Sequence, residues 1–335
     1  MKVFITGIAG FLGSHLHDAL KAEGHDVWGC DNLSTGEIDN IKTNQWDMID
    51  ISCPLNLNPY LVEVLKGVDV VYHCAAAAYE GLSVFSPAFI SNNIYTGSAN
   101  VFSAAIQNNV KRIVFCSSMA RYGVGTPPFD EDDEPNPIDP YGLAKLGAER
   151  LLACLAKVHN FEHVIIVPHN IYGPRQKYDD PYRNVVAIMA NRMFKNQPPI
   201  IYGDGEQIRC FSYIDDVIGP LKDVATNNVV GETINVGPDE GEISINGLVE
   251  ILYELIPVNE PSTYVTGRPQ EVKHATCSAN KARALLDYEP KTSLRDGVKE
   301  LIRYIRERGP RSFNYHLDVE VVSDKTPKTW TEKQI

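Results

Sequence analysis

The sequence predicts an α/β protein in which a doubly wound parallel sheet is followed by a smaller C-terminal α/β substrate domain. Three observations lead there. Short apolar runs near residues 3–6, 26–30, 68–74, 112–117 and 163–168 alternate with stretches of helical period, the pattern of a parallel sheet covered on both faces. The first run, Lys2-Val3-Phe4-Ile5-Thr6, leads straight into Gly7-Ile8-Ala9-Gly10-Phe11-Leu12-Gly13 and an amphipathic stretch through Leu20, which reads as strand, glycine turn and helix. A chain of 335 residues, 44% of them hydrophobic, suffices for one large or two modest domains with a sizeable core.

The glycine turn carries the first chemistry. Glycines let the backbone turn tightly and approach a pyrophosphate, whose charge rests on the N–H groups and positive dipole of the following helix. The spacing is Gly-x-x-Gly-x-x-Gly over Gly7, Gly10 and Gly13. The second run, Asp26 to Cys30, ends at Asp31, at the distance where an acidic residue meets the adenosine ribose hydroxyls of a dinucleotide. A carboxylate there repels a 2′-phosphate, so NAD is favoured over NADP.

Further along, Ser117-Ser118-Met119-Ala120-Arg121-Tyr122-Gly123 closes the run at 112–117, and Tyr141-Gly142-Leu143-Ala144-Lys145 opens a helix. A Tyr and a Lys four apart share one helix face, so the ammonium can lower the phenol's pKa and fit it to exchange a hydroxyl proton. With 16 tyrosines in the chain the pair alone is weak evidence, and the glycine turn is what gives it weight. Between them, the Pro-rich acidic segment from Thr126 to Pro140 reads as an irregular, solvated connection. After Pro174 the composition turns aromatic and polar with several arginines, and Ile208–Val217 and Thr233–Gly237 read as returns to strand. The expected division is residues 1–174 for the dinucleotide, with a return at about 208–237, and 175–335 for the substrate. In the tail from Ser312 to Ile335, the alternation Leu317-Asp318-Val319-Glu320-Val321-Val322 predicts an extra strand.

Composition excludes several classes. A net charge of -12 argues against nonspecific binding to nucleic acid or anionic membrane. The chain opens on a core strand without the charged and apolar regions of a secretory signal, and no stretch approaches a membrane span, so a cytoplasmic location is expected. Seven scattered cysteines lack metal-ligand spacing, which predicts neither a disulfide framework nor zinc. His73, His169 and His274 match no metal motif and read as hydrogen-bonded structural residues.

The ordered set Gly7, Gly10 and Gly13, Asp31 to Gly36, Val68 to Ala76, Ser117-Ser118, Tyr141/Lys145 and Asn170-Ile171-Tyr172-Gly173-Pro174 resembles the NAD-dependent sugar-nucleotide epimerase/dehydratase family of extended short-chain dehydrogenases/reductases, to about residue 308. The resemblance implies a Rossmann domain that binds NAD and a C-terminal domain that binds a UDP-sugar. It implies Tyr141 as acid/base, Lys145 on the nicotinamide ribose and phenol, and Ser118 as the hydroxyl on the reacting oxygen, although a one-residue irregularity would hand that role to Ser117. It places Phe11, Leu12, Asn32, Ala75, Ala76, Ser117 and Pro168 on the cofactor beside the glycines and Asp31. Asp47-Met48 resembles the pair that touches adenine, with an Asx turn as the alternative reading. Asn170 and Asn184, with Val185, align near the diphosphate, Arg209 and Arg268 with diphosphate-binding arginines, Tyr202 with the aromatic beside the base, and Glu271 with a ribose-binding carboxylate. A homodimer through the helices containing Val101–Asn108 and Tyr141–Leu155 is expected on the same ground.

Within the family, dehydratases and decarboxylases carry a carboxylate after the catalytic hydroxyl, where this chain has Met119 and Ala120. Neither can move a proton, which favours C4 epimerisation: Tyr141 takes the O4 proton, C4 hydride goes to NAD+, the 4-keto sugar turns over, and hydride returns to the other face. Ala275, four residues after Glu271, leaves volume for a 2-acetamido group, so the UDP-GlcNAc/UDP-GalNAc pair is the preferred substrate. Hexose or uronate epimerisation, a dehydratase with a different acid, and a non-catalytic NAD sensor are the rival readings. The chain departs from the family pattern at Arg121, commonly small and apolar, at Val167, often arginine, and at Asn93, one residue off the expected spacing to Gly97.

Overall fold

The computed structural model describes residues 1–335. Its centre is a seven-stranded parallel sheet built from β1 (Lys2–Thr6), β2 (Asp26–Asp31), β3 (Trp46–Met48), β4 (Val70–His73), β5 (Arg112–Cys116) and β6 (Glu162–Pro168), with the strand Thr233–Val236 added beside β6. The order Thr233–Val236, β6, β5, β4, β1, β2, β3 reverses direction between β1 and β4, which opens a crevice beyond their carboxyl ends. Thr6 stands opposite Cys30 on one side and His73 on the other, at the floor of that crevice. Every residue of β4 and β5 is buried, as a strand covered on both faces requires.

Helix α1 (Phe11–Ala22) follows the glycine turn and buries Leu16 and Leu20, packing beside the helix Ile214–Asp223. The helix Pro140–His159 starts where Asp139 accepts the Gly142 N–H (2.9 Å) with Pro140 in the first turn, and it ends at Asn160 in the left-handed conformation. A cap of this kind is worth about 1 kcal/mol, and here it also fixes the start of the helix that carries Tyr141.

The second layer of structure is smaller. Ile200–Tyr202 pairs in parallel with Thr263–Val265, and Ile208–Arg209 lies between Ile243–Ser244 and His274–Ala275. Helices Val185–Phe194, Ile245–Leu255 and Leu294–Arg308 pack around these strands. One core of 44 buried residues runs from Val3 and Ile5 in β1 to Leu301 and Ile305, so both parts share it.

Two expectations fail. Ile208–Val217 is not one strand: Ile208–Arg209 and Ser212–Tyr213 are two-residue strands, and a helix begins at Ile214. Asp215 and Asp216 in its first turn complement the dipole, and Ile214, Val217, Ile218 and Leu221 bury one face at helical spacing. Nor do residues 317–322 form a strand. Val321 donates its N–H to Phe85 O (2.8 Å), in the bend before the helix Pro87–Ser91, and Glu320 accepts the Ala88 and Phe89 N–H groups at that helix start, so the alternation is absorbed by a helix end rather than a sheet edge.

Candidate active site

The crevice continues into the second part as one cavity of about 420 Å³. At the glycine turn, Gly7 has φ +75°, and a Cβ there would lie 2.9 Å from the Ala75 backbone; a Cβ on Gly13 would meet Gly7 O at 2.1 Å. The turn and helix start are therefore closed to side chains, leaving the cradle to a ligand. Asp31 is buried, which pushes its carboxyl up, while N–H groups of Leu33 (2.8 Å) and Ala9 (3.0 Å) oppose the shift. Phe11, Leu12, Asn32, Ala75, Ala76, Ser117 and Pro168 line the same end.

Asp47 and Met48 do not. Asp47 accepts a hydrogen bond from Tyr60 (2.9 Å) and Met48 is exposed, because the edge strand β3 turns them away from the crevice. Ile49 and Ile51, just past the strand, line the cavity in their place.

Tyr141, Lys145, Ser117 and Ser118 meet at the middle of the cavity. The structure separates the two serines. Ser117 Oγ donates to Glu149, which also pairs with Arg121, whereas Ser118 accepts the Ala120 N–H (3.2 Å) and lines the cavity beside the Tyr141 phenol. Burial pushes the phenol up, and the neighbouring Ser118 hydroxyl opposes the shift. The expected depression of the phenol by Lys145 is absent: the ammonium donates to Cys116 O (2.7 Å), packs over the Phe115 ring, and is itself brought down to about 8 by burial.

Asn93 lines the cavity and accepts the Ala77 N–H (2.7 Å). It lies in a π-helical turn, Asn92–Thr96, that inserts one residue before Gly97 and accounts for the displaced spacing. Arg121, where a small residue was expected, fills its position as a buried ion pair with Glu149 (3.0 Å), and Val167 is core. The ring nitrogens of His73 bond Thr6 (2.7 Å) and Ser98 (2.9 Å), and burial lowers its pKa to about 3; His169 reaches Pro238 O (3.2 Å), and His274 pairs with Glu242 (2.9 Å).

At the far end, Arg268 stacks on Tyr202 (4.7 Å) and donates to Glu271 (2.8 Å). Burial pushes the Glu271 carboxyl up, but Arg268 with Gln207 and Arg209 holds it below the ordinary range. Arg209 donates to Val272 O (2.7 Å) and Ile208 O (2.8 Å) and still lines the cavity. Asn170 lines it too, its amide on Cys210 O (2.8 Å). The Asn184 side chain is occupied in capping, accepting the Val186 N–H (3.1 Å), so that what faces the cavity with Val185 is a helix N-terminus. Ala275 lines a small annex shared with Met119, Asn170 and Arg209.

Sequence reasoning missed Glu80 and Arg183. Glu80 opens the short helix Glu80–Ser83; its exposure is to the cavity, and burial with the nearby Asp139 pushes its carboxyl up while Arg209 and Arg268 oppose. Arg183, at the same cavity, has Asp180 3.7 Å from its Nε and the Tyr79 ring beneath it. Position after β4, next to the switch point, was the available signal for Glu80.

A dinucleotide cradle joined to a Ser/Tyr/Lys centre and an arginine-bearing second pocket defines an NAD-dependent enzyme of the short-chain dehydrogenase/reductase type. A model of the NAD dependent epimerase/dehydratase family matches residues 3–237, and the chain belongs to that family. A putative UDP-glucose 4-epimerase of Methanocaldococcus jannaschii is 32% identical over 312 residues, 91% of this chain and 98% of that one. Among solved structures, a UDP-N-acetylglucosamine 4-epimerase from Methanobrevibacter ruminantium M1, in complex with UDP-N-acetylmuramic acid, superposes with a TM-score of 0.84 at 28% identity, covering 92% of this chain and 99% of its own. A UDP-glucuronic acid 4-epimerase from Bacillus cereus, in complex with UDP-glucuronic acid and NAD, superposes at 0.83 with 31% identity, covering 92% and 100%. No helix is long and apolar enough to cross a membrane.

Proposed function

We propose that the protein interconverts UDP-sugars epimeric at C4, with UDP-GlcNAc and UDP-GalNAc the preferred pair. The reading is carried by Ser118, Tyr141 and Lys145 lining the same cavity as Tyr202, Arg209, Arg268 and Glu271. The cradle of Gly7, Gly10 and Gly13, with Asp31 beyond it, fits NAD: the glycines let the turn fold tightly on its own backbone, where a Cβ would clash, and all three line the cavity at a helix start suited to a pyrophosphate. Bound there, NAD would supply the hydride acceptor and donor for C4.

The chain's own residues do the rest. Tyr141 takes the O4 proton and gives it back, and Ser118 donates to the same oxygen as it becomes a carbonyl. Lys145 holds the cofactor ribose. Arg209 and Arg268 grip the diphosphate, Glu271 the ribose and Tyr202 the base, so the sugar of the 4-keto intermediate turns over while its handle stays fixed. Ala275 leaves room for the 2-acetamido group. In this reading residues 1–174, with the return at about 208–237, hold NAD, residues 175–335 hold the nucleotide sugar, and two copies pair through the helices Gly97–Gln107 and Pro140–His159, the second of which exposes Leu143.

One observation favours a second reading. Glu80 faces the cavity close enough to Tyr141 to perturb it, so a second proton transfer, and with it dehydration, has a candidate acid/base. Incubation with UDP-GlcNAc without added cofactor, followed by proton NMR, separates the two: UDP-GalNAc is expected, and loss of water supports the second reading. UDP-glucose and UDP-glucuronate run in parallel. Turnover of UDP-glucose alone would refute the size argument, and inactivity on all three, even with NAD added, refutes the proposal.

A further inference from the structure

We propose that residues 312–335 form a strap that completes the nucleotide end of the cavity, with Thr329 the residue that fixes Tyr202. The inference rests on the assignment of Tyr202 to the base. It concerns a segment beyond the family match at residue 237 and past residue 308, where the sequence resemblance stops.

The strap leaves the helix Leu294–Arg308 and is tied at each step. Asn314 N–H donates to Asp179 O (2.8 Å), the His316 ring meets the Tyr79 hydroxyl (3.2 Å), and Tyr182 donates to Leu317 O (3.3 Å). Glu320 then takes the two N–H groups at the start of Pro87–Ser91. From there the chain crosses back. Trp330, 3% exposed, sets its ring 5.6 Å from Tyr182 and 5.9 Å from Phe85, in the same apolar cluster as Tyr141. Thr329 Oγ1 lies 2.6 Å from the Tyr202 hydroxyl, and Ile335 lines the cavity with Tyr182 and Tyr202.

Tyr202 is thereby held at two points, its face by the Arg268 guanidinium and its hydroxyl by Thr329. An aromatic ring already locked in place loses no rotamer freedom when a base docks on it, so the Thr329 bond acts on nucleotide affinity rather than on the chemical step. Without the strap, Tyr202 would keep only the stacking restraint and the cavity would lose its Ile335 wall.

Thr329→Val removes the hydroxyl and keeps the shape. In the NAD-loaded enzyme titrated with UDP by calorimetry, the variant is expected to weaken UDP by about twofold to tenfold, the worth of one hydrogen bond. KM for the UDP-sugar should rise by the same factor, with kcat and retained NAD unchanged, and the effect should vanish in a Tyr202→Phe background. UDP affinity that is unchanged in Thr329→Val, or a penalty of equal size in Tyr202→Phe, overturns the role of the strap while leaving the nucleotide reading intact. An intact enzyme that does not bind UDP refutes the nucleotide reading itself, and the strap's role falls with it.

Discussion

Replacing Arg121 with methionine should destabilise the protein in a way that grows with pH. In the native structure the Arg121 Nε lies 3.0 Å from Glu149 Oε2, with the two side chains only 8% and 4% exposed. Burial pushes the Glu149 carboxyl up from its ordinary 4.5, and Arg121 is the largest counterweight. Without it the buried carboxyl is pushed further up, opposed only by the Ser117 hydrogen bond and Lys145, whereas in the unfolded chain it ionises above 4.5. A group whose folded pKa is raised contributes stability below the unfolded value and loses it as pH rises, here at about 1.4 kcal/mol per unit. Because the parent's Glu149 is itself raised above 4.5, the difference between variant and parent opens only above the parent's own value and grows from there by at most about 1.4 kcal/mol per pH unit, so it is larger at pH 7 than at pH 5. Urea denaturation of Arg121→Met and the parent at pH 5, 6 and 7 measures it, with Arg121→Met/Glu149→Gln as the control that should show no such growth. A loss equal at all three pH values would refute the reasoning and leave only the lost packing of Arg121 on Tyr122.

Tyr141→Phe should lower kcat by about a hundredfold to ten-thousandfold while UDP affinity and retained NAD stay unchanged, as read by NMR turnover and calorimetry; activity within a few fold of the parent would remove the phenol from the chemistry. Glu80→Gln should raise kcat/KM for UDP-glucuronate relative to UDP-GlcNAc by about tenfold, because a carboxylate facing the sugar repels one at C6; an unchanged ratio places Glu80 away from the sugar. His73, neutral when buried and lowered to about 3, should cost the fold about 1.4 kcal/mol per pH unit as pH falls below 6.5 toward that value. Its ring signal in NMR should not titrate above pH 5, and titration near 6.5 would contradict the burial.

What the sequence disclosed was local in origin. The glycine spacing, Asp31 at a strand end and the Tyr141/Lys145 pair each sit within a few residues of the geometry they create, so backbone period alone places them. Which serine reaches the phenol could not be read that way. Ser117 and Ser118 point to opposite sides of a strand end, and only the Glu149 and Arg121 charges show which side is which. Asn93 misled for a related reason, since a π turn adds a residue that no helical period contains. Asp47 and Met48 matched a pattern whose register depends on where an edge strand stops, and the cavity takes Ile49 and Ile51 instead. The tail lay furthest from reach: its alternation is that of a strand, but the partners that decide its path, Tyr202 and Thr329, are 127 residues apart.

The same separation between local and long-range information governs how an anionic ligand could enter a chain of net charge -12. The arginines at the cavity are not equivalent. Arg268 is matched by Glu271 and Arg183 by Asp180, so each contributes direction and hydrogen bonds more than net charge. Arg209 donates only to the neutral carbonyls of Ile208, Val272 and Lys273, and its positive charge remains uncompensated by any direct ion pair. Glu80 is close enough to feel Arg209 and to raise the Tyr141 phenol, so its carboxyl stands near both the acid/base residue and the cationic end. Under the proposed function, a diphosphate directed toward Arg209 meets a cavity arginine without a direct ion partner, and one directed the other way approaches Glu80, so the orientation that brings the sugar to Tyr141 is the favoured one.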